Sequence, residues 1–544
     1  MGAGILRWEG LSVRYAGAHA GAPATQAVRD LSFELAAGEC LAIVGESGSG
    51  KTQSMLAPFG LAAGAELSGR AWFEGVDLVS ASEPQRNALR GTRVGFVFQD
   101  PLTSLAPHLR IGEQLTEGIR YHCRADRATA DRHACHLLEL VQLTEPQQRL
   151  RQYPHELSGG MRQRIVIAMA LACEPCLLVA DEPTTALDAT VQAEILSLLR
   201  RLQQERGMAL VFISHDLGAV ARVADRVLVL NKGVSVENGP AAQVLRWPVH
   251  SYTRDLARAA RSESGPPVAS SELGAEASPA IVCESVSVSF KAPRLSWWRG
   301  RPRPTTDAVK EVSFKLARGR ALGIVGESGS GKSTLLRAAV GLQAFRGSVF
   351  WGGRSLGSPS RLPLERRLDV QMVFQDALAS LDPSKPVGTS VALAVRQRHP
   401  SLDRAQAQAR VDALLQACGL DPELGLRHPT QLSGGQNQRA AIARALGTEP
   451  VVLACDEAVS ALDMTVRNQV LDLLGRLRCE MGLAVLFVTH DIGVVKRLCD
   501  DVVVMHRGRV VEAGMTRQVL GDPRDPYTRT LLDAVLELPP EEVE

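Results

Sequence analysis

The sequence predicts an α/β protein made of two successive domains of the same plan, each with a parallel sheet covered on both faces. Three observations carry that expectation. The same glycine-rich loop occurs twice, as Gly45-Glu46-Ser47-Gly48-Ser49-Gly50-Lys51-Thr52 and as Gly326-Glu327-Ser328-Gly329-Ser330-Gly331-Lys332-Ser333. Short, wholly apolar runs such as Cys176 to Ala180, Ala209 to Ile213, Val451 to Cys455 and Ala484 to Val488 alternate with longer helix-like segments, the pattern of strands buried on both sides. Finally, the landmarks of the first half return in order in the second: Leu157-Ser158-Gly159-Gly160 as Leu432-Ser433-Gly434-Gly435, Asp181-Glu182 as Asp456-Glu457, and Ser214-His215-Asp216 as Thr489-His490-Asp491.

Each loop follows an apolar strand, Leu41 to Val44 in one half and Ala321 to Val325 in the other, and a helix should follow it. The glycines let successive N–H groups turn inward around phosphates. Lys51 or Lys332 neutralises the β and γ groups, and the Thr52 or Ser333 hydroxyl reaches Mg²⁺. The run Cys176 to Ala180 ends in Asp181 and Glu182, at the strand edge where α/β sheets bind ligands. The two acids divide the work: Asp181 holds Mg²⁺ through its water shell, and Glu182 polarises the water that attacks the γ-phosphate. Asp456 and Glu457 repeat the pair. Ser158-Gly159-Gly160 precedes the apolar stretch Ile165 to Ala172, so it opens a helix whose free N–H groups favour an anion. Late in each half two short apolar runs flank Asn231-Lys232-Gly233 or His506-Arg507-Gly508, and each domain should close with a hairpin.

The chain of 544 residues is too long for one core, and 45 % hydrophobic with 22 % charged residues is ordinary globular composition. Ser262 to Pro279, rich in Ser, Gly, Pro, Ala and Glu, reads as a flexible tether. The first domain then spans about 1–261 and the second about 280–537, leaving an acidic tail at 538–544. A net charge of +2 nominates no nucleic-acid partner. No stretch approaches the roughly 20 apolar residues of a membrane span, and the start lacks a signal peptide, so the chain is expected in the cytosol. Gly2 does not make a myristoylation signal, because Leu6 stands where Ser or Thr is needed. Ten cysteines scattered over such a chain are expected reduced. Cys173 and Cys176 form a C-x-x-C without a second pair, and His122, Cys123, His133, Cys135 and His136 fall in a polar, helix-like stretch read as a solvated face rather than a metal site.

Taken together, the two loops, Gln99 and Gln375 in F-Q-D, the two L-S-G-G segments, D-E ahead of A-L-D, and S/T-H-D resemble the ATP-binding cassette proteins, in the same order and twice over. The resemblance implies cassettes with a RecA-like core, a helical subdomain and an antiparallel β subdomain. It also implies that two cassettes pair head to tail within the chain, each ATP lying between the loop of one and the L-S-G-G of the other. One site would then combine Lys51, Thr52, Gln99, Asp181, Glu182 and His215 with Ser433, Gly434 and Gly435. The other would combine Lys332, Ser333, Gln375, Asp456, Glu457 and His490 with Ser158, Gly159 and Gly160. The histidines would bond the γ-phosphate, the glutamines would serve both Mg²⁺ and catalysis, and Tyr15 and Phe290 would stack on adenine. Met161 departs from the usual Gln of the signature, and Ala458-Val459 stands where the first half has Pro183-Thr184. No proton-handling group is lost, so both sites are expected to hydrolyse ATP.

Pro248 to Leu256 and Asp525 to Leu532 resemble the H-P-Y-T-x-x-L tail of ATP-binding subunits of oligopeptide, dipeptide and nickel importers, and the segments after Gln99 and Gln375 look like their F-Q-D-P-x-x-S-L-N-P. The nearest likeness is to fused double-cassette subunits that energise uptake of peptides, including microcin C and glutathione. That implies two separate permease subunits, an extracytoplasmic solute-binding protein, and a place on the cytoplasmic face of the inner membrane. The alternative is a twin-cassette translation factor of the ABC-F type, although Ser262 to Pro279 is short and helix-breaking where such factors carry a long helical linker. Trp297-Trp298, among arginines, reads either as a membrane or permease contact or as a surface loop.

Overall fold

The computed structural model describes residues 4–16, 24–185, 187–262, 278–291, 305–357, 362–460, 462–536 and 538. Most of the expected tether, the Trp297-Trp298 segment and the acidic tail lie outside the described residues. Apart from the short pieces Asp188–Thr190 and Leu536–Glu544, two compact units part between Arg261 and Ser262.

In the first unit a six-stranded sheet has the order Val234–Pro240, Arg226–Asn231, Cys40–Val44, Ala209–Ser214, Leu177–Asp181, Val94–Val97. It is parallel except for the closing hairpin, in which Asn231 pairs with Val234. Cys40–Val44, Leu177–Asp181 and Ala209–Ser214 are buried at every residue, as a sheet covered on both faces requires. Alternate side chains serve different cores. Leu41 and Ile43 pack with Trp8, Phe33, Phe59 and Phe73, whereas Cys40, Ala42 and Val44 pack with Ile165 and Ile167. The first of these cores lies under an antiparallel sheet ordered Thr25–Leu35, Leu6–Tyr15, Ala65–Phe73, Val76–Asp77.

Between Val97 and Leu177 the chain is helical. Ile111, Leu115 and Ile119 fall four apart on Ile111–Cys123, and Ala130, Ala134, Leu137 and Leu138 share one face of Arg127–Leu140. The Asp126 side chain caps the latter by accepting from the Thr129 N–H at 2.8 Å. Gly159–Ala170 completes this helical part.

The second unit repeats the plan. Its six-stranded sheet runs Val370–Val373, Val452–Asp456, Ala484–Val488, Ala321–Val325, Asp501–His506, Arg509–Met515, and its antiparallel sheet Thr305–Ala317, Pro279–Lys291, Arg346–Trp351, Arg354–Ser355. Helices Val387–Arg398, Arg404–Ala417 and Gly434–Leu446 form its helical part. The apolar runs of the sequence thus become strands with one consistent shift. Both Leu177–Asp181 and Val452–Asp456 take in the first acid, because its backbone pairs with the neighbouring strand at Ile213 or Val488.

Among the described residues no helix is long and apolar enough to cross a membrane. Phe59 is the hub of the first β-side core, with ring centroids 5.5 Å from Phe73 and 5.4 Å from Phe96, and it is fully buried. Phe59→Ala is expected to lower unfolding free energy by about 3–5 kcal/mol, measured by denaturant melting of the full chain.

Candidate functional site

Gly50 ends the first loop in the left-handed region, with φ 96°, and Lys51 begins the helix Lys51–Leu56. A Cβ at Gly50 would stand 2.3 Å from the Ala27 carbonyl oxygen, so no larger residue fits. Lys51 Nζ donates to the carbonyls of Gly45 at 2.7 Å and Glu46 at 2.9 Å. Ser49 Oγ is buried inside the same loop without a protein partner.

The sheet register brings the acids beside this loop. Thr52 Oγ1 donates to both Asp181 oxygens, at 3.0 and 2.9 Å. Burial outweighs that bond and the charge of Lys51, and pushes the Asp181 carboxyl up to about 6. Glu182 follows with φ 46°, an unusual conformation for a glutamate, held by its N–H donating to the Ile213 carbonyl at 2.9 Å. Its Oε2 accepts from Gln99 Nε2 at 2.9 Å and from Thr185 Oγ1 at 3.0 Å, and its Oε1 lies 3.2 Å from His215 Nδ1. Burial works against ionisation of Glu182, yet the bond and charge of His215 prevail and hold the carboxyl below its usual range.

The second unit reproduces the arrangement. Lys332 Nζ donates to Gly326 at 2.7 Å and Glu327 at 2.8 Å, Ser330 Oγ is buried without a protein partner, and Ser333 Oγ donates to Asp456 at 2.7 Å. Glu457, with φ 48°, accepts from Gln375 Nε2 at 3.0 Å and stands 3.3 Å from His490 Nδ1. Again burial raises the first acid, and again the second is held low, by His490 against the effect of burial. Burial also lowers Lys332.

The signature segments start helices as the sequence suggests. Ser158 accepts from the Met161 N–H at 3.3 Å and Ser433 from the Gln436 N–H at 3.3 Å. Gln436 also accepts from the Ser433 N–H at 2.9 Å, closing a capping box. Met161 cannot, so the first signature has a weaker cap. Tyr15 sits at the end of Leu6–Tyr15 with its hydroxyl bonded to Gln53, and Phe290 is exposed on Pro279–Lys291. His122 and Cys123 end one helix while His133, Cys135 and His136 lie on the next; among the described residues no three such groups are placed to hold a metal ion. Cys123 Sγ is instead 3.0 Å from Cys173 Sγ, and Cys176 Sγ donates to the Arg93 carbonyl. The sequence reading did not single out Thr185, or Tyr252 and Tyr527 as parts of a site; Tyr252 and Tyr527 reach the loops through bonds described below, and no local pattern announces any of the three.

These residues fit a triphosphate with a hard divalent cation. The loop offers an orphaned buried hydroxyl and a lysine already folded over it, and the donors Thr52, Asp181 and Gln99, like Ser333, Asp456 and Gln375, include the oxygen ligands such cations take. The family model described as ABC transporter matches residues 28–185 and 309–460. The chain belongs to the ABC transporter family. A second model, described as the oligopeptide/dipeptide transporter C-terminal region, matches residues 511–543. The glutathione import ATP-binding protein GsiA of Escherichia coli K12 is 44 % identical over 539 residues, covering 94 % of this chain and 86 % of the relative. The Salmonella choleraesuis protein of the same name is 42 % identical, covering 98 % and 89 %. The dimeric structure of the bacterial ABC transporter cassette MJ0796 is 26 % identical, with a TM-score of 0.40, covering 43 % of this chain and 98 % of that one.

The chain is therefore a twin-cassette ABC ATPase that binds ATP and powers import, an activity exercised with membrane permease subunits. The relatives are named as import subunits and the C-terminal region is of the oligopeptide/dipeptide transporter type, which sets aside the ribosome-acting alternative. The signature glycines have a packing role of their own in each cassette. A Cβ at Gly435 would lie 2.3 Å from Val466 Cγ1, and one at Gly160 2.5 Å from Val191 Cγ1. Valine is stiff at χ1, so Gly435→Ala should lose about 1–3 kcal/mol in nucleotide-free melting, and Val466→Ala should recover part of it.

Proposed function

We propose that this chain couples ATP binding and hydrolysis at two composite sites to uptake of glutathione-like short peptides. It would act on the cytoplasmic face of the inner membrane, under two permease subunits supplied by an extracytoplasmic solute-binding protein. The observation that carries the cargo class is the 44 % identity to a glutathione import ATP-binding protein along 94 % of the chain, joined to the oligopeptide-type C-terminal region.

Each cassette contributes one loop with its acids and one signature helix start, and head-to-tail pairing within the chain would give every ATP both. On this reading Lys51 exchanges its loop carbonyls for phosphate oxygens, Tyr15 lies against adenine, and Ser433, Gly434 and Gly435 close over the γ-phosphate. Lys332, Phe290, Ser158, Gly159 and Gly160 do the same at the other site. Mg²⁺, when bound through Thr52, Asp181 and Gln99 or Ser333, Asp456 and Gln375, neutralises charge on the phosphates. Glu182 and Glu457 accept a proton from the attacking water at a carboxylate oxygen. His215 and His490, each facing its glutamate through Nδ1, keep Nε2 for the γ-phosphate.

ATP binding closes the cassettes and hydrolysis reopens them, a shift driven by a ligand held in only one state. Reconstitution with the permeases tests the cargo: ATPase activity should rise when the binding protein carries glutathione or another short peptide, and a response confined to an unrelated solute overturns that assignment. Glu182→Gln and Glu457→Gln should each keep ATP binding while turnover falls, with about 10²-fold or greater loss when combined. If one single change left hydrolysis untouched, that site would be regulatory.

A further inference from the structure

The C-terminal helix of each unit reaches back to its own glycine-rich loop. Tyr252, on Ser251–Ser262, accepts through its hydroxyl from the Glu46 N–H at 3.0 Å; Tyr527, on Pro526–Asp533, accepts from the Glu327 N–H at 3.0 Å. The other side of the same residue is held by the lysine, since Glu46 and Glu327 offer their carbonyls to Lys51 and Lys332.

The helices themselves are tied down just ahead of the tyrosines. Glu237, on the hairpin strand Val234–Pro240, accepts from the N–H groups of Val249 at 3.0 Å and His250 at 3.1 Å. Glu512 accepts from those of Arg524 at 3.0 Å and Asp525 at 3.2 Å. Two carboxylate bonds to successive N–H groups fix where each helix begins, and so where its tyrosine ends. In the second unit the ring of Tyr527 is also stacked on His506, with centroids 4.0 Å apart and planes within 1°. Burial there pushes the phenol up to about 12, so the hydroxyl stays neutral over the physiological range.

We propose that Tyr252 and Tyr527 are positioning residues for the nucleotide, each latching the first turn of the loop through the Glu46 or Glu327 N–H. The need for a latch follows from the lysine. Without phosphate its ammonium braces the loop through two carbonyls; when it turns to phosphate oxygens that brace is given up, and the tyrosine hydroxyl on the N–H side then shares the load with the Ser49 or Ser330 N–H, which donates to the Glu46 or Glu327 carbonyl at 3.2 or 3.1 Å. The loop then stays in its phosphate-ready form instead of being ordered at the expense of binding energy. This rests on the reading of the loops as nucleotide sites, and the experiment separates the two.

The test uses the full chain and a fluorescent ATP analogue. Tyr252→Phe combined with Tyr527→Phe should raise the Kd roughly 3- to 10-fold, the range of one hydrogen bond to backbone, while the nucleotide-free Tm falls by at most about 2–4 °C. In the reconstituted importer KM for ATP should rise by a similar factor with kcat unaltered. Leu256→Ala combined with Leu532→Ala, which trims apolar packing from the same helices, should lower Tm and leave Kd as it was. If the phenylalanine variant lowers Tm without moving Kd, or if the leucine variant moves Kd as far, the tyrosines only dock a helix and the proposal fails. Unmodified protein that does not bind the analogue would instead overturn the nucleotide reading itself.

Discussion

The parallel register of the six-stranded sheet decides where every reactive group in a cassette goes. Val44 lies opposite Ser214 and Asp181 opposite Ile213, so the chain leaves three neighbouring strands at one edge. Strands in a sheet are only about 4.8 Å apart, and the loop after Val44, the acids at Asp181 and Glu182, and His215 are therefore drawn together by backbone pairing alone. Gln99 joins them two residues beyond Val97, which pairs with Ala180. A slip of one residue would exchange Leu41 and Ile43 for Cys40 and Ala42 between two different cores. Packing on both faces thus enforces the register that the chemistry requires.

On that edge, two adjacent carboxylates are driven in opposite directions. Asp181 is nearly closed off and raised by burial, whereas Glu182 is kept low by His215. Such a split assigns different work to like groups. A buried carboxylate that is costly to ionise alone gains most from a cation, while one stabilised as an anion stays unprotonated and free to accept hydrogen bonds. The same split recurs at Asp456 and Glu457, which makes it a property of the edge rather than of one copy's surroundings.

The parts legible in the sequence were those with local signals. Glycine spacing fixed the loops, apolar runs fixed the strands, and the order of landmarks exposed the duplication, because each depends on neighbours a few residues away. Strand ends were less legible: pairing of Asp181 with Ile213 and of Asp456 with Val488 draws the acid into the strand, and only the partner strand reveals it. The contacts of Tyr252 with Glu46 and Tyr527 with Glu327 were hidden altogether, since the partners are some 200 residues apart and meet only through the tertiary fold.

The two copies differ in ways that leave this chemistry intact. In the first cassette Thr185 donates to the Glu182 carboxylate, whereas in the second Ser460 turns to the Glu457 backbone carbonyl at 2.9 Å. Asp456 in exchange has Arg337 at 3.5 Å. Support has thus moved from the second acid to the first, and neither set is broken. The backbone was not allowed to drift. Glu182 and Glu457 both hold positive φ, and both N–H groups donate at 2.9 Å to the strand beside them, although Pro183-Thr184 has become Ala458-Val459. A left-handed glutamate costs on the order of 1 kcal/mol or more, and a chain free to relax would shed it in one copy as the flanking residues changed. Both copies keep it because the conformation aims the carboxylate at the histidine and glutamine that hold it, which ties the strain to the group we propose to face the attacking water.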